Sequence, residues 1–148
     1  MLFRSDEAAD ATQSSFLKIF ERIDSFDSSR PLFSWLYRIA LNEAIDRSRK
    51  LSRLTALEDT WLKDESAGIE ETLDGTLLSE GLQQALMRLP LEARVVIVMK
   101  HINGMSYTEI AEVLEIADKT VKSRLYSARQ QLKAQLEEMA LFSRFLED

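Results

Sequence analysis

Six side chains between Lys119 and Gln130 could act on a ligand: Lys119, Lys122, Ser123, Tyr126, Arg129 and Gln130. Ammonium and guanidinium groups pair with phosphates, while hydroxyl, phenol and carboxamide groups exchange hydrogen bonds with base edges. This is recognition chemistry rather than bond-making chemistry. The sequence shows no paired carboxylates in a Gly-bounded cleft, no nucleophile motif, no metal-ligand spacing and no phosphate-cradling loop, so neither an enzyme nor a cofactor is implied. There is no cysteine, which removes disulfides and thiolate sites, and the single histidine, His101, cannot make a zinc site without carboxylates. His101 is expected to pack at a helix end.

The elements that must position those donors are two short helices and a turn. Ser106 and Glu109 form a capping-box pair, in which hydroxyl and carboxylate satisfy backbone N–H groups that a helix start leaves unpaired. Ile110, Ala111, Val113 and Leu114 give the first helix an apolar face. Glu115-Ile116-Ala117 then interrupts it, and Asp118 offers a cap for the second helix. Val121, Leu125, Ala128 and Leu132 recur at the 3.6-residue period, leaving the donors on the opposite face. A helix so built fits the major groove, and the order of signals is that of a helix-turn-helix. An amphipathic hairpin with a merely solvated basic face has the same local pattern.

Elsewhere the pattern is also helical, and the expected fold class is all-α: two small helical domains joined by an acidic linker. Four Gly and two Pro punctuate 148 residues, and no sustained alternation marks a strand. Phe16, Leu17, Ile19, Phe20 and Ile23 form one apolar helical face, followed by a loop at Asp27-Ser28-Ser29-Arg30-Pro31. Phe33, Leu36, Tyr37, Ala40, Leu41, Ala44 and Ile45 mark a second helix. From Leu54 to Ser79 the pattern gives way to acidic residues with Gly68 and Gly75, a linker in which Trp61 and Leu62 could dock on a partner. Leu82, Leu86 and Leu89 mark a helix ended by Pro90. Val95, Val96, Val98 and Met99 mark another, ended near Asn103-Gly104. No apolar stretch reaches membrane-spanning length and the start MLFRSDEAAD is too acidic for a signal peptide, so a cytoplasmic protein is expected.

A net charge of −6 is unusual for a nucleic-acid binder, but its distribution is uneven. Residues 30–53 hold six basic and two acidic residues, and residues 118–133 hold five and one. Residues 54–80 hold one Lys against eight Asp and Glu. Two basic patches separated by an acidic connector fit two DNA contacts that are individually weak and salt-sensitive.

Three stretches together resemble one family, the extracytoplasmic-function (ECF) sigma factors of bacterial RNA polymerase, within the sigma-70 family. DEAADATQSSFLKIF at 6–20 resembles its polymerase-binding segment, and PLFSWLYRIALNEAIDRSRK at 31–50 its promoter-melting helix. LPLEARVVIVMKHINGMSYTEIAEVLEIADKTVKSRLYSARQQL resembles its domain four, with TVKSRL the most recognisable piece. The resemblance implies residues 1–53 as a partial domain two, 54–79 as the linker, 80–135 as domain four and 136–148 as a helical tail. Asp10, Gln13 and Phe16 would dock on core RNA polymerase. Phe26 to Phe33 would form a loop that captures a flipped base of the minus-10 element, with Arg30 and Phe33 supplying cation and π-face. Asn42, Arg47, Arg49 and Lys50 would lie near the duplex backbone or its melted edge, while Trp35 and Tyr37 are expected in the core. At the minus-35 element, Lys122, Ser123, Tyr126 and Ser127 would face bases, with Thr120, Arg124 and Arg129 nearer phosphates.

Partners implied by the resemblance are core RNA polymerase, promoter DNA and an anti-sigma factor. The sequence departs from the family in three places. Few residues precede the 6–20 segment, so the front domain is expected to be incomplete and to lean on domain four, a partner or a second copy. Glu115 stands where the family usually has Gly in the hairpin turn, at a cost of about 1 kcal/mol if that turn is left-handed. Ala117-Asp118-Lys119 replaces the usual Pro and Gly. The tail residues Leu141, Phe142, Phe145 and Leu146 share a face, as a cover for domain four or a docking strip. Two other readings stay open: a stand-alone LuxR-like helix-turn-helix regulator, and a sigma mimic that occupies an anti-sigma factor.

Overall fold

A computed structural model describes residues 5–58 and 80–147, the side chains among them at 6–54 and 80–140. Trp61, Leu62, Gly68 and Gly75 lie outside the described residues, as do the side chains of Leu141, Phe142, Phe145 and Leu146. All described elements are helical. The chain separates into two compact units that divide after Glu70.

The first unit is a pair of helices, α1 (Ser5–Arg22) and α2 (Leu32–Glu58). A 3₁₀ turn at Ile23–Ser25 ends α1, and an Asx turn follows, in which Asp27 accepts from the Ser29 backbone at 2.9 Å and its hydroxyl at 2.7 Å. Helix α2 runs past the expected linker start at Leu54. Residues 53–58, RLTALE, are mostly strong helix formers without Gly or Pro, so nothing stops the helix there. Among the described residues of this unit the buried apolar ones are few, Ala11, Ile39 and Leu41, and they are joined by buried Ser15, Ser34 and Glu43. The apolar face of α1 is formed but turned outward, with Phe16, Leu17, Phe20 and Ile23 at 67, 66, 79 and 50% exposure. Charge ties the two helices instead. The Glu43 carboxylate accepts from the Lys18 ammonium of α1, and from Arg47 Nε at 3.0 Å, while Arg47 Nη2 donates to the Ser14 hydroxyl at 2.5 Å.

The second unit contains α3 (Glu80–Arg88), α4 (Leu91–Ile97), α5 (Tyr107–Leu114) and α6 (Asp118–Glu147). Its core is apolar: Leu86, Leu89, Val96, Met99, Ile110, Val121 and Leu125 are each at most 3% exposed. Burying each such side chain is worth about 1.5–3 kcal/mol, so this unit has what the first lacks. Buried Arg94 closes α3, donating from Nε to the Leu86 carbonyl at 3.0 Å and from Nη2 to those of Met87 and Leu89 at 3.2 and 3.1 Å. Those are orphan carbonyls of a helix end, and burial lowers the guanidinium pKa without removing its charge. Helix α6 is continuous through the stretch read as a separate tail, since residues 133–147 contain no Gly or Pro.

Candidate nucleic-acid interface

Local chemistry accounts for the hairpin. Ser106 accepts from the Glu109 backbone at 3.1 Å and its own N–H donates to the Glu109 carboxylate at 2.8 Å, the reciprocal box expected from the sequence. At the other end of α5, Glu115 adopts φ 57° and ψ 43°, the left-handed conformation that favours glycine. The cap of α6 differs from expectation. The Ala117 carbonyl takes the first helical bond, from Val121 N–H at 3.1 Å, so Ala117 is the cap and Asp118 the first helical residue. The Asp118 carboxylate instead accepts from the Thr108 hydroxyl at 3.2 Å, tying the starts of α5 and α6, and its charge suits a helix N-terminus.

That register decides what α6 presents. Val121, Leu125 and Ala128 are fully buried, and Leu132 is half-buried. Lys119, Lys122, Ser123, Arg124, Tyr126, Ser127, Arg129 and Gln130 are exposed, and Thr120 is half-buried. Ser123 donates to the Thr120 carbonyl at 3.1 Å, one helical turn back. Tyr126 leaves 66% of its surface in solvent. The phenol thus stands in solvent among Lys122, Ser123 and Arg129 and takes no part in the core.

Residues outside that list join the face. Between α4 and α5 the chain makes a π turn, Val98–Ile102, closed by a bond from Asn103 N–H to the Val98 carbonyl at 2.9 Å, and leaves it through Gly104 at φ +65°. The wide turn directs Lys100 back onto the start of α5, where it donates to the Met105 carbonyl at 3.2 Å and lies 4.7 Å from the Tyr107 ring centre. Lys122 approaches the same ring at 5.7 Å. His101, expected only to pack at a helix end, is exposed there and meets Arg129 of α6. No local pattern marked these residues, because the π turn that brings them to α5 and α6 needs no special residue type.

In the first unit, Asp10, Gln13 and Phe16 are exposed along one ridge of α1. Arg30 is exposed 3.9 Å from the Asp27 carboxylate, whose pKa is lowered by the Ser29 hydroxyl and then the Ser29 backbone. Phe33 is 55% exposed and leans on Tyr37 at 5.8 Å between ring centres. Trp35, expected in the core, is half-buried against Phe26 at 5.2 Å, and Tyr37 is also half-buried, so both pack at the edge of the unit rather than inside it. Asn42 and Arg49 line a shallow groove of about 360 Å³ with Lys18 and Arg22, and Lys50 is exposed beside them. Nine residues is about two and a half helical turns, so Phe33 and Asn42 lie on opposite sides of α2, and the minus-10 list is not one patch. Arg47 is half-buried, its side chain 33% exposed, with Nε on Glu43 and Nη2 on Ser14.

Comparison with known proteins settles the class. Residues 1–54 match the family model described as Sigma-70 region 2, and residues 79–132 match Sigma-70, region 4. The ECF RNA polymerase sigma factor SigW of Bacillus subtilis is 39% identical over 155 aligned positions, covering 94% of this chain and 80% of the relative. The chain belongs to the ECF sigma factors. The Escherichia coli ECF sigma-E factor is 32% identical over 139 positions, covering 85% of this sigma factor and 72% of the relative. Among solved structures, the sigma factor RpoE from Bartonella quintana, in complex with the anti-sigma factor NepR, superposes with a TM-score of 0.72 at 31% identity. That match covers 92% of this chain and 85% of the other. CnrH, in complex with the cytosolic domain of CnrY, gives 0.61 at 30% identity over 88 and 71%. An ECF sigma factor directs RNA polymerase to promoters and is an initiation factor, not an enzyme. No described helix is long and apolar enough to cross a membrane.

Proposed function

We propose that residues 80–135 read the minus-35 element through α6, while residues 1–53 bind core polymerase and assist at minus-10. Lys122, Ser123, Tyr126 and Ser127 face base edges, and Thr120, Arg124 and Arg129 lie nearer phosphates. The observation that carries this is the division of α6: Val121, Leu125 and Ala128 are fully buried while the basic face around Tyr126 stays in solvent. Asp10, Gln13 and the exposed Phe16 give polymerase a mixed polar and apolar strip. Arg30 and Phe33 take a flipped base, and Asn42, Arg49 and Lys50 follow the backbone on the other side of α2. Arg47 acts from within by holding α1 against α2. The protein works in the cytoplasm, where polymerase and promoter are, and is held by an anti-sigma factor when idle, as RpoE and CnrH are found with NepR and CnrY.

Reconstitution with core polymerase on a panel of promoters tests this reading. Expected are polymerase-dependent transcripts that fall with substitutions at Ser123 or Tyr126. A chain that ignores core enzyme yet shifts a palindromic duplex is a stand-alone regulator, and one that binds only an anti-sigma protein is a mimic.

A further inference from the structure

The only histidine of the chain stands at the end of the π turn, facing a basic helix. His101 Nε2 accepts a hydrogen bond at 3.0 Å from Nε of Arg129 on α6. A ring nitrogen that accepts is unprotonated, so the imidazole is neutral and carries its proton on Nδ1. The surroundings favour that form: partial desolvation of the otherwise exposed ring, then the positive charges of Arg129 and Lys100, lower the His101 pKa. Lys100 itself is held toward α5 by the Met105 carbonyl and the Tyr107 ring, which leaves the imidazole to Arg129.

The bond uses only Nε of the guanidinium. Its terminal nitrogens make no hydrogen bond or ion pair among the described residues, and they form the edge that meets an anionic oxygen pair. Arg129 is exposed, and an exposed Arg side chain wanders among rotamers, freedom that it loses when DNA immobilises it. Anchoring it beforehand removes part of that cost. We infer that His101 is a positioning residue for promoter binding: it fixes Arg129 so that the guanidinium meets a backbone phosphate of the duplex along α6. This rests on the reading of α6 as the DNA-binding helix with Arg129 nearer phosphates. The recognised group is a phosphodiester, so the effect is independent of base sequence.

The test uses the full chain and a mixed-sequence duplex at low salt, read by fluorescence anisotropy. His101→Ala should weaken binding about two- to tenfold, the loss expected for freeing one side chain. His101→Gln, whose carbonyl can accept from Arg129, should stay near wild type. Arg129→Ala should weaken binding at least as much as His101→Ala, and adding His101→Ala to it should cost nothing further. In NMR spectra the Arg129 Nε–H should exchange slowly with water in wild type and in the Gln variant and quickly in the Ala variant. Additive losses, or a wild-type affinity for His101→Ala beside a weakened Arg129→Ala, overturn the positioning role and leave the DNA-binding helix standing. An unchanged affinity for Arg129→Ala removes the phosphate contact and the inference with it.

Discussion

The two units each fix a helix that bears basic side chains, but with different materials. In the second, α6 is held by a stripe at 0% exposure, Val121, Leu125 and Ala128, so its outer face is free of structural duty. In the first, a polar network of Lys18, Glu43, Arg47 and Ser14 joins α1 and α2 beside the small buried set Ala11, Ile39 and Leu41, while Phe16, Leu17 and Phe20 of α1 face solvent. The difference teaches how duty is shared. Where apolar area does the holding, the cations Lys119, Lys122 and Arg124 of α6 stay exposed on its outer face; where charge contributes, Arg47 is half-buried against Glu43 and Ser14.

The largest expected effect lies in the apolar unit. Leu125→Ala should cost about 2–5 kcal/mol by lost transfer energy and a cavity, a large fraction of the roughly 5–15 kcal/mol that holds a domain together. Urea unfolding followed by circular dichroism measures it, and duplex binding should fall in parallel. A cost below about 1 kcal/mol would mean that α6 is not held by its stripe, and the contrast between the units would collapse.

The polar counterpart is Glu43→Gln, which leaves Lys18 and Arg47 without a counter-charge. Their side chains are 39 and 33% exposed and can turn to water. The loss should therefore be about 1–3 kcal/mol, below the 3–5 of a fully buried pair. Acid should mimic the substitution. The Lys18 hydrogen bond, and then Arg47, hold the Glu43 pKa below its ordinary 4.5. Its stabilisation is thus complete above that value and lost as pH falls through the lower folded one. Melting temperatures of wild type and variant measured from neutral pH into acid should converge at the acid end. Parallel curves would show that the network contributes nothing to stability.

How much of this contrast was legible beforehand depends on the kind of interaction. The α6 stripe and the capping box are periodic or local, so their residues could be assigned from spacing alone. The fate of Arg47 was not legible, because it depends on Ser14, 33 residues earlier, and no local pattern encodes that pairing. Helix ends were the least legible: acidic composition was taken to end α2 at Leu54, although residues 54–58 contain no breaker, and the helical tail at 136–148 is continuous with α6 rather than a separate element. The π turn escaped because widening a helix by one residue needs no special residue type. With it went Lys100, Tyr107 and His101 as members of the face.

Within α6 itself, base-facing and phosphate-facing roles separate by experiment. Ser123→Ala should cost about 1–3 kcal/mol on the preferred promoter and relax specificity at one position. Arg124→Ala should weaken all promoters alike and lower the salt slope by about 1. Holoenzyme competition across single-base promoter variants at two salt concentrations distinguishes them. Equal, sequence-independent losses for both would make the face a phosphate tracker only, and the first unit would then carry the specificity.

The smallest effect concerns the turn that aims α6. Glu115 holds a left-handed conformation that places its Cβ near its own carbonyl, a strain of roughly 1–2 kcal/mol that glycine avoids. Glycine also widens the unfolded ensemble, which returns about 0.4–1 kcal/mol. Glu115→Gly should therefore stabilise the second unit by about 0.5–1 kcal/mol, a rise of a few degrees in melting temperature for a domain of this size. The sign is informative. A rise means that the turn is strained and that the apolar stripe holds it in place. A fall means that the Glu115 side chain contributes more than its backbone costs, and that even the unit built on apolar burial leans on a polar contact at the corner where α6 begins.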